Sequence, residues 1–311
     1  MMSGQGGREV RLPAGSVETG LRRQYVKLCD LRDFDDPAVS SRIDDIVPGL
    51  DASERLWRKN WEYAMLTLFL EDSGLLSEDT RILSVGAGHE TVLFWLANRV
   101  ATVVATDIYG EGSFGEQEAD RTMLSDPTSF SPYPYRESHL EVRHMDARQL
   151  EFADDSFDAV FTLSSIEHFG SWADIRRSAH EMGRVVRPGG CAFVATECFL
   201  GRSALTPSVQ EAGSRVTGGR VFGAMRVFTP RTLLSEIVEP SGLQLVQPLN
   251  TTLSAETTQN VNELDGAGQV TSPTGARYPH IVVRAKRTLG PVSLRTQTWT
   301  SVGLAMVKPS G

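Results

Sequence analysis

From Arg81 to about residue 200, short β-branched apolar runs alternate with longer stretches of helical apolar spacing. The runs at 81–85, 101–106, 140–145, 157–163 and 191–196 predict strands. Between them, Val92, Leu93, Trp95 and Leu96 mark one helix, and 172–186 predicts another. Strands that alternate with helices in this way form βαβ units with a parallel sheet. The predicted class is therefore a doubly wound α/β fold.

The flanks follow a different pattern. Residues 1 to about 50 carry scattered charge and predict no regular element. Asp51 followed by Glu54 has the spacing of a capping box. Beyond it Trp57, Trp61, Ala64, Met65 and Leu68 recur on one helical face, and Gly74 stands where that helix should end. The two tryptophans read either as core packing or as a lid over a ligand. Later, 230–238 predicts a helix, and 243–247 and 281–286 predict strands. The polar stretch 251–278 predicts a long hairpin loop, and the segment after Arg287 predicts no element. The chain thus divides into an N-terminal extension with a cap helix (1–80), a main domain (81–290) and a tail (291–311). Two inserts, near 108–138 and 199–227, follow the C-terminal ends of strands. Open α/β sheets bind ligands on that side, so both are read as substrate loops. Within the first, Phe130, Tyr133 and Tyr135 read equally as rings against which an acceptor packs or as part of a surface loop.

Composition narrows the class. The 311 residues are 40% hydrophobic and 23% charged, enough for one large domain with a sizeable core. A net charge of -8 with no dense Lys/Arg run disfavours nucleic acid and favours a small-molecule partner. Cys29, Cys191 and Cys198 give neither a disulfide framework nor a zinc spacing, and are expected as small core residues. No stretch has the length of a membrane span or the pattern of a signal peptide. A cytoplasmic protein is expected, and the sequence is silent on oligomeric state.

The chemistry concentrates in Ser84-Val85-Gly86-Ala87-Gly88-His89-Glu90, between the first strand and its helix. Gly86 and Gly88 permit a tight turn and leave the main chain open to a ligand. Asp107 follows about 20 residues on, at the end of the next strand, where a carboxylate can take two ribose hydroxyls. Together they indicate a cofactor containing adenosine. The dinucleotide fingerprint wants a further small residue where this chain has Thr91, and Glu90 would repel a pyrophosphate. A cofactor with a ribose and no phosphate fits better. An NAD-dependent oxidoreductase and a non-catalytic cofactor-binding protein on the same fold are the alternatives.

Through these motifs together, the chain resembles the class I S-adenosylmethionine-dependent methyltransferases over about 80–200 and the last two predicted strands. Val85-Gly86-Ala87-Gly88 is similar to the glycine loop under the methionine part of that cofactor, and Asp107, with Ile108 beside it, to the ribose-binding acid. Met145-Asp146-Ala147 is similar to the segment that contacts the adenine through an Asp and the next main-chain amide. Ser164-Ser165-Ile166-Glu167-His168-Phe169 resembles the segment beside the transferring methyl, and Arg184-Val185-Val186-Arg187-Pro188-Gly189-Gly190 the turn before the fifth strand. The resemblance implies a seven-stranded, mainly parallel sheet with an antiparallel last strand inserted between its neighbours. It also departs from the family, which often carries an acid at 84 and a glycine at 90, where Ser84 and Glu90 stand here.

The implied reaction is in-line displacement at a sulfonium methyl, in which the protein chiefly aligns the nucleophile. An oxygen acceptor also needs its proton removed. His168 is the expected base, with Glu167 beside it and Glu197 as a second acceptor-side carboxylate. Some relatives bind a divalent ion through Glu-x-x-Glu-His at this place. Ser164 replaces the first glutamate here, so no metal is expected. The expected activity is methylation of a small molecule, by preference O-methylation of a sugar or another metabolite.

Overall fold

A computed structural model describes residues 21–112, 117–200, 226, 228–264, 270–271, 276–289 and 292–310. Five strands form its parallel heart, in the order β4 (Leu140–His144), β3 (Thr102–Asp107), β2 (Arg81–Val85), β5 (Phe157–Leu163) and β6 (Val186–Phe199). β3, β2, β5 and β6 follow from β-branched or aromatic runs that are largely buried, as a sheet covered by helices requires, whereas β4 is a partly exposed edge strand. α3 (Thr91–Ala97) and α4 (Trp172–Val185) supply crossovers, the latter held at its start by a reciprocal Ser171–Asp174 capping box.

The far side of β6 differs from expectation. The antiparallel strand beside it is β11 (Val292–Val307), which pairs Cys191–Phe199 with Val307–Trp299. The stretch expected as a tail is thus a central strand. The 281–286 run instead begins β10 (Val282–Leu289), one place further out. Leu245 and Gln244 of β7 (Gln244–Leu245) pair with the last residues of β11 and complete the seven strands of the expected fold. Four more extend it: β1 (Lys27–Leu28), β8 (Val261–Leu264), β9 (Val270–Thr271) and β10 make eleven among the described residues. The expected hairpin loop 251–278 holds β8 and β9 and a short helix, Ala255–Gln259.

The extension is structured too. A turn at Leu31–Asp35 leads into α1 (Pro37–Ile46), and α2 (Arg58–Asp72) packs on α1 and β11. The Asp51–Glu54 box exists, with the Glu54 amide donating to Asp51 at 2.8 Å, but it closes a separate turn. α2 begins at Arg58, after Trp57. It is buried from Asn60 to Leu70 on every side, not along one stripe. Trp61 is core, its indole donating to Asp33 at 2.7 Å. The insert rings are engaged internally: Phe130 stacks on His89 at 4.8 Å, and Tyr135 meets Phe94 at 5.0 Å. Residues 113–116 and most of the second insert lie outside the described residues. The three cysteines are free and buried, and no described helix is long and apolar enough to cross a membrane.

Candidate active site

The expected site residues gather where β2, β3, β5 and β6 end. Gly86 and Ala87 donate their amides to Thr106 O at 2.8 and 3.0 Å, which folds the turn over the end of β3. The Gly88 amide then donates to Asp107 Oδ2 at 2.8 Å, and the Ile108 amide to Oδ1 at 2.8 Å. Turn and carboxylate are therefore one hydrogen-bonded unit. Burial raises the Asp107 carboxyl above its ordinary range, against the two amides that favour its charge.

The tight turn expected of the glycines is present, and neighbouring segments add a second constraint. Both have positive φ, +67° at Gly86 and +48° at Gly88. A Cβ at 86 would lie 2.7 Å from the Ser165 side chain and 2.9 Å from the Phe169 ring. A Cβ at 88 would lie 2.5 Å from the Glu118 carbonyl oxygen. The protein's own segments cover the bare turn.

Asp146 stands next in line, because the Met145 amide donates to Asp107 O at 2.9 Å. Its carboxylate takes three bonds from the Arg148 guanidinium, which hold it below its ordinary range. Ala147 beside it is nearly buried. On the donor set, the residues suit a nucleoside without phosphate: Asp107 and Asp146 are acceptors for hydroxyl or amine groups, and Lys59, the cation that reaches Glu90, is paired with it.

Across the turn, Ser164 has a φ of +48°, unusual for a side-chain-bearing residue. Its hydroxyl donates to Glu62 Oε1 at 2.8 Å, which rewards the strained backbone. His168 ends the turn Ile166–His168. Burial, then the Arg58 and Lys59 charges, pull its imidazole down to about 4, so it is neutral at physiological pH. Glu167 is fully buried and accepts from Thr196 Oγ1 at 2.7 Å. Burial and the neighbouring Glu197 push its carboxyl up to about 8. At neutral pH it keeps its proton.

The sign of that shift makes a prediction. A carboxyl whose pKa is higher folded than unfolded stabilises the protein fully below the unfolded value and loses this as pH rises through the folded one. Stability is expected to fall as pH rises through about 8, and Glu167→Gln to flatten that fall. Melting temperature against pH from 6 to 10 reads it; parallel curves for the two proteins refute it.

Sequence reasoning missed the cations. The Arg58 amide donates to His280 O at 3.0 Å and the His280 amide to Leu56 O at 2.7 Å, pinning the start of α2 across the strand ends. Arg58 then reaches Glu197 Oε1 at 2.7 Å and Ser301 Oγ at 3.0 Å. Lys59 donates to Leu163 O at 3.0 Å and pairs with Glu90 and Glu62. A signal was present: Arg58, Lys59 and Glu62 stand at i, i+3 and i+4 spacing inside an apolar helix. Among the described residues no group of three His, Cys, Asp or Glu is placed to hold a metal ion.

Residues 83–194 match the family model described as a methyltransferase domain. Over that stretch the chain is similar to methyltransferases. It is 27% identical over 178 residues to methyltransferase GfsG of Streptomyces halstedii, a match covering 55% of each chain. The chain thus spans about half the length of that curated relative. Among solved structures, it is similar to the YcgJ protein of Bacillus subtilis, with 16% identity, 79% of this chain and 98% of that one covered, and a TM-score of 0.46. It is also similar to a structure described as a methyltransferase, BH2331 of Bacillus halodurans, with 17% identity, coverage of 78% and 98%, and a TM-score of 0.47.

Proposed function

We propose that the chain transfers a methyl group from S-adenosylmethionine to a small-molecule acceptor in the cytoplasm, and that the reaction is O-methylation of a sugar or comparable metabolite. The observation that carries this reading is the bond between the Gly88 amide and Asp107 within the matched domain, which unites turn and carboxylate. In this reading Gly86, Ala87, Gly88 and Ser164 flank the methionine part. Asp107 and Ile108 take the ribose, and Asp146 and Ala147 the adenine.

When bound, the cofactor supplies a sulfonium methyl with a good leaving group. His168, unprotonated at working pH, accepts the acceptor's hydroxyl proton. Glu167, neutral and bonded to Thr196, supports its neighbour and takes no proton itself. A net charge of -8 favours an uncharged or cationic acceptor over a polyanion.

Ligand-dependent melting separates the readings. A product homologue present at 100 times its Kd should add about 2.7 kcal/mol of stability. S-adenosylhomocysteine is expected to raise the melting temperature and NAD to leave it unchanged. Stabilisation by NAD alone defeats the proposal.

A further inference from the structure

The buried ion cluster at the start of α2 is unevenly matched. Lys59 and Arg58 face the carboxylates of Glu62, Glu90 and Glu197, and Glu167 is held neutral beside them. Glu62 is fully buried and Glu90 partly so; Lys59 stands 3.4 Å from Glu62 Oε2 and Tyr63 shares the Glu90 carboxylate, yet Glu90 Oε2 accepts no hydrogen bond among the described residues. A buried carboxylate oxygen left without a donor is costly. Glu90 lies two residues past Gly88, whose amide meets Asp107. Lys59 reaches the same place from outside the matched domain, bonded to the last carbonyl of β5. The cluster therefore stands beyond the turn from the carboxylate that suits a ribose. A ligand with a nucleoside at one end and both an ammonium and a carboxylate at the other matches this arrangement: acceptor oxygens for the ammonium, and an ammonium for the carboxylate.

We infer that Lys59 and Glu90 read the zwitterionic amino-acid end of the cofactor, with Lys59 donating to its carboxylate and Glu90 Oε2 accepting from its ammonium. This rests on the methyltransferase reading and adds to it a residue from the N-terminal extension. It also gives Glu90 a role at a position where relatives often carry glycine.

Calorimetry with two ligands tests it without any acceptor. S-adenosylhomocysteine carries the amino-acid end; 5′-methylthioadenosine lacks it. Lys59→Met and Glu90→Gln are each expected to weaken S-adenosylhomocysteine about 10- to 100-fold, in line with loss of a charge-assisted bond, and to leave 5′-methylthioadenosine within about two-fold. The exchange Lys59→Glu with Glu90→Lys keeps an internal ion pair but reverses its sense. It is expected not to restore S-adenosylhomocysteine affinity. Equal loss of both ligands, unchanged affinity for S-adenosylhomocysteine, or its recovery in the exchanged protein assigns the pair a purely structural role and overturns the inference. If the unaltered protein binds neither ligand, the methyltransferase reading itself fails.

Discussion

Asp107→Ala is expected to weaken S-adenosylhomocysteine at least ten-fold and to destabilise the fold by about 2–4 kcal/mol. The first effect follows from removing the carboxylate proposed to hold the ribose. The second is independent of any ligand. Asp107 satisfies two main-chain amides, Gly88 at 2.8 Å and Ile108 at 2.8 Å, in a largely buried site. Each buried donor left without an acceptor costs about 1–3 kcal/mol. Asp107→Asn separates the two, because its amide keeps one oxygen acceptor and turns an N–H₂ toward the other main-chain N–H. It should fall between alanine and the unaltered protein in stability. Urea unfolding measures the fold and calorimetry the ligand. Lowered stability with unchanged ligand affinity would confine Asp107 to shaping the turn.

The parallel heart was legible because β2, β3, β5 and most of β6 are buried on both faces and so read as continuous β-branched or aromatic runs. The runs at 81–85 and 157–163 coincide with β2 and β5. β11 was not legible for the opposite reason. Its stretch Thr296-Gln297-Thr298-Trp299-Thr300-Ser301 is polar enough to pass for a surface tail, and only pairing with β6, about a hundred residues away, buries Trp299, Thr300 and Ser301. α2 misled in a related way. Asn60, Glu62 and Thr67 look like a solvent face, but α1 and β11 close over them. The same fact hid part of the site. Glycines, Asp107 and His168 could be found because their spacing is local to a strand end. The Glu62–Ser301 contact spans 239 positions and exists only once β11 lies beside β6. The glycine turn shows the converse case: the position was read correctly, whereas its steric cause, the approach of Ser165, Phe169 and Glu118, belongs to the tertiary fold.

Glu62→Ala is expected to be among the most destabilising single changes in the molecule, at about 3–5 kcal/mol, the cost of breaking a buried ionic network from one side. Glu62 has no exposed surface. Its Oε1 accepts from Ser164 Oγ at 2.8 Å and from Ser301 Oγ at 2.5 Å, joining β5 to β11. Its charge also faces Arg58 at 3.4 Å and Lys59 at 3.4 Å. Alanine removes every one of these at once and leaves a cavity among two cations. Ser164 then holds a positive φ without the bond that accompanies it. Glu62→Gln distinguishes the contributions, since it retains an oxygen for the two hydroxyls but no charge for Arg58 and Lys59. If charge dominates, glutamine should lose nearly as much as alanine, and added salt should not rescue it, because buried pairs are screened little. If the serine bonds dominate, glutamine should recover most of the loss. A loss below about 1 kcal/mol for alanine, the scale of an exposed pair, would mean that water reaches Arg58 and Lys59 and that the cluster is an open surface network.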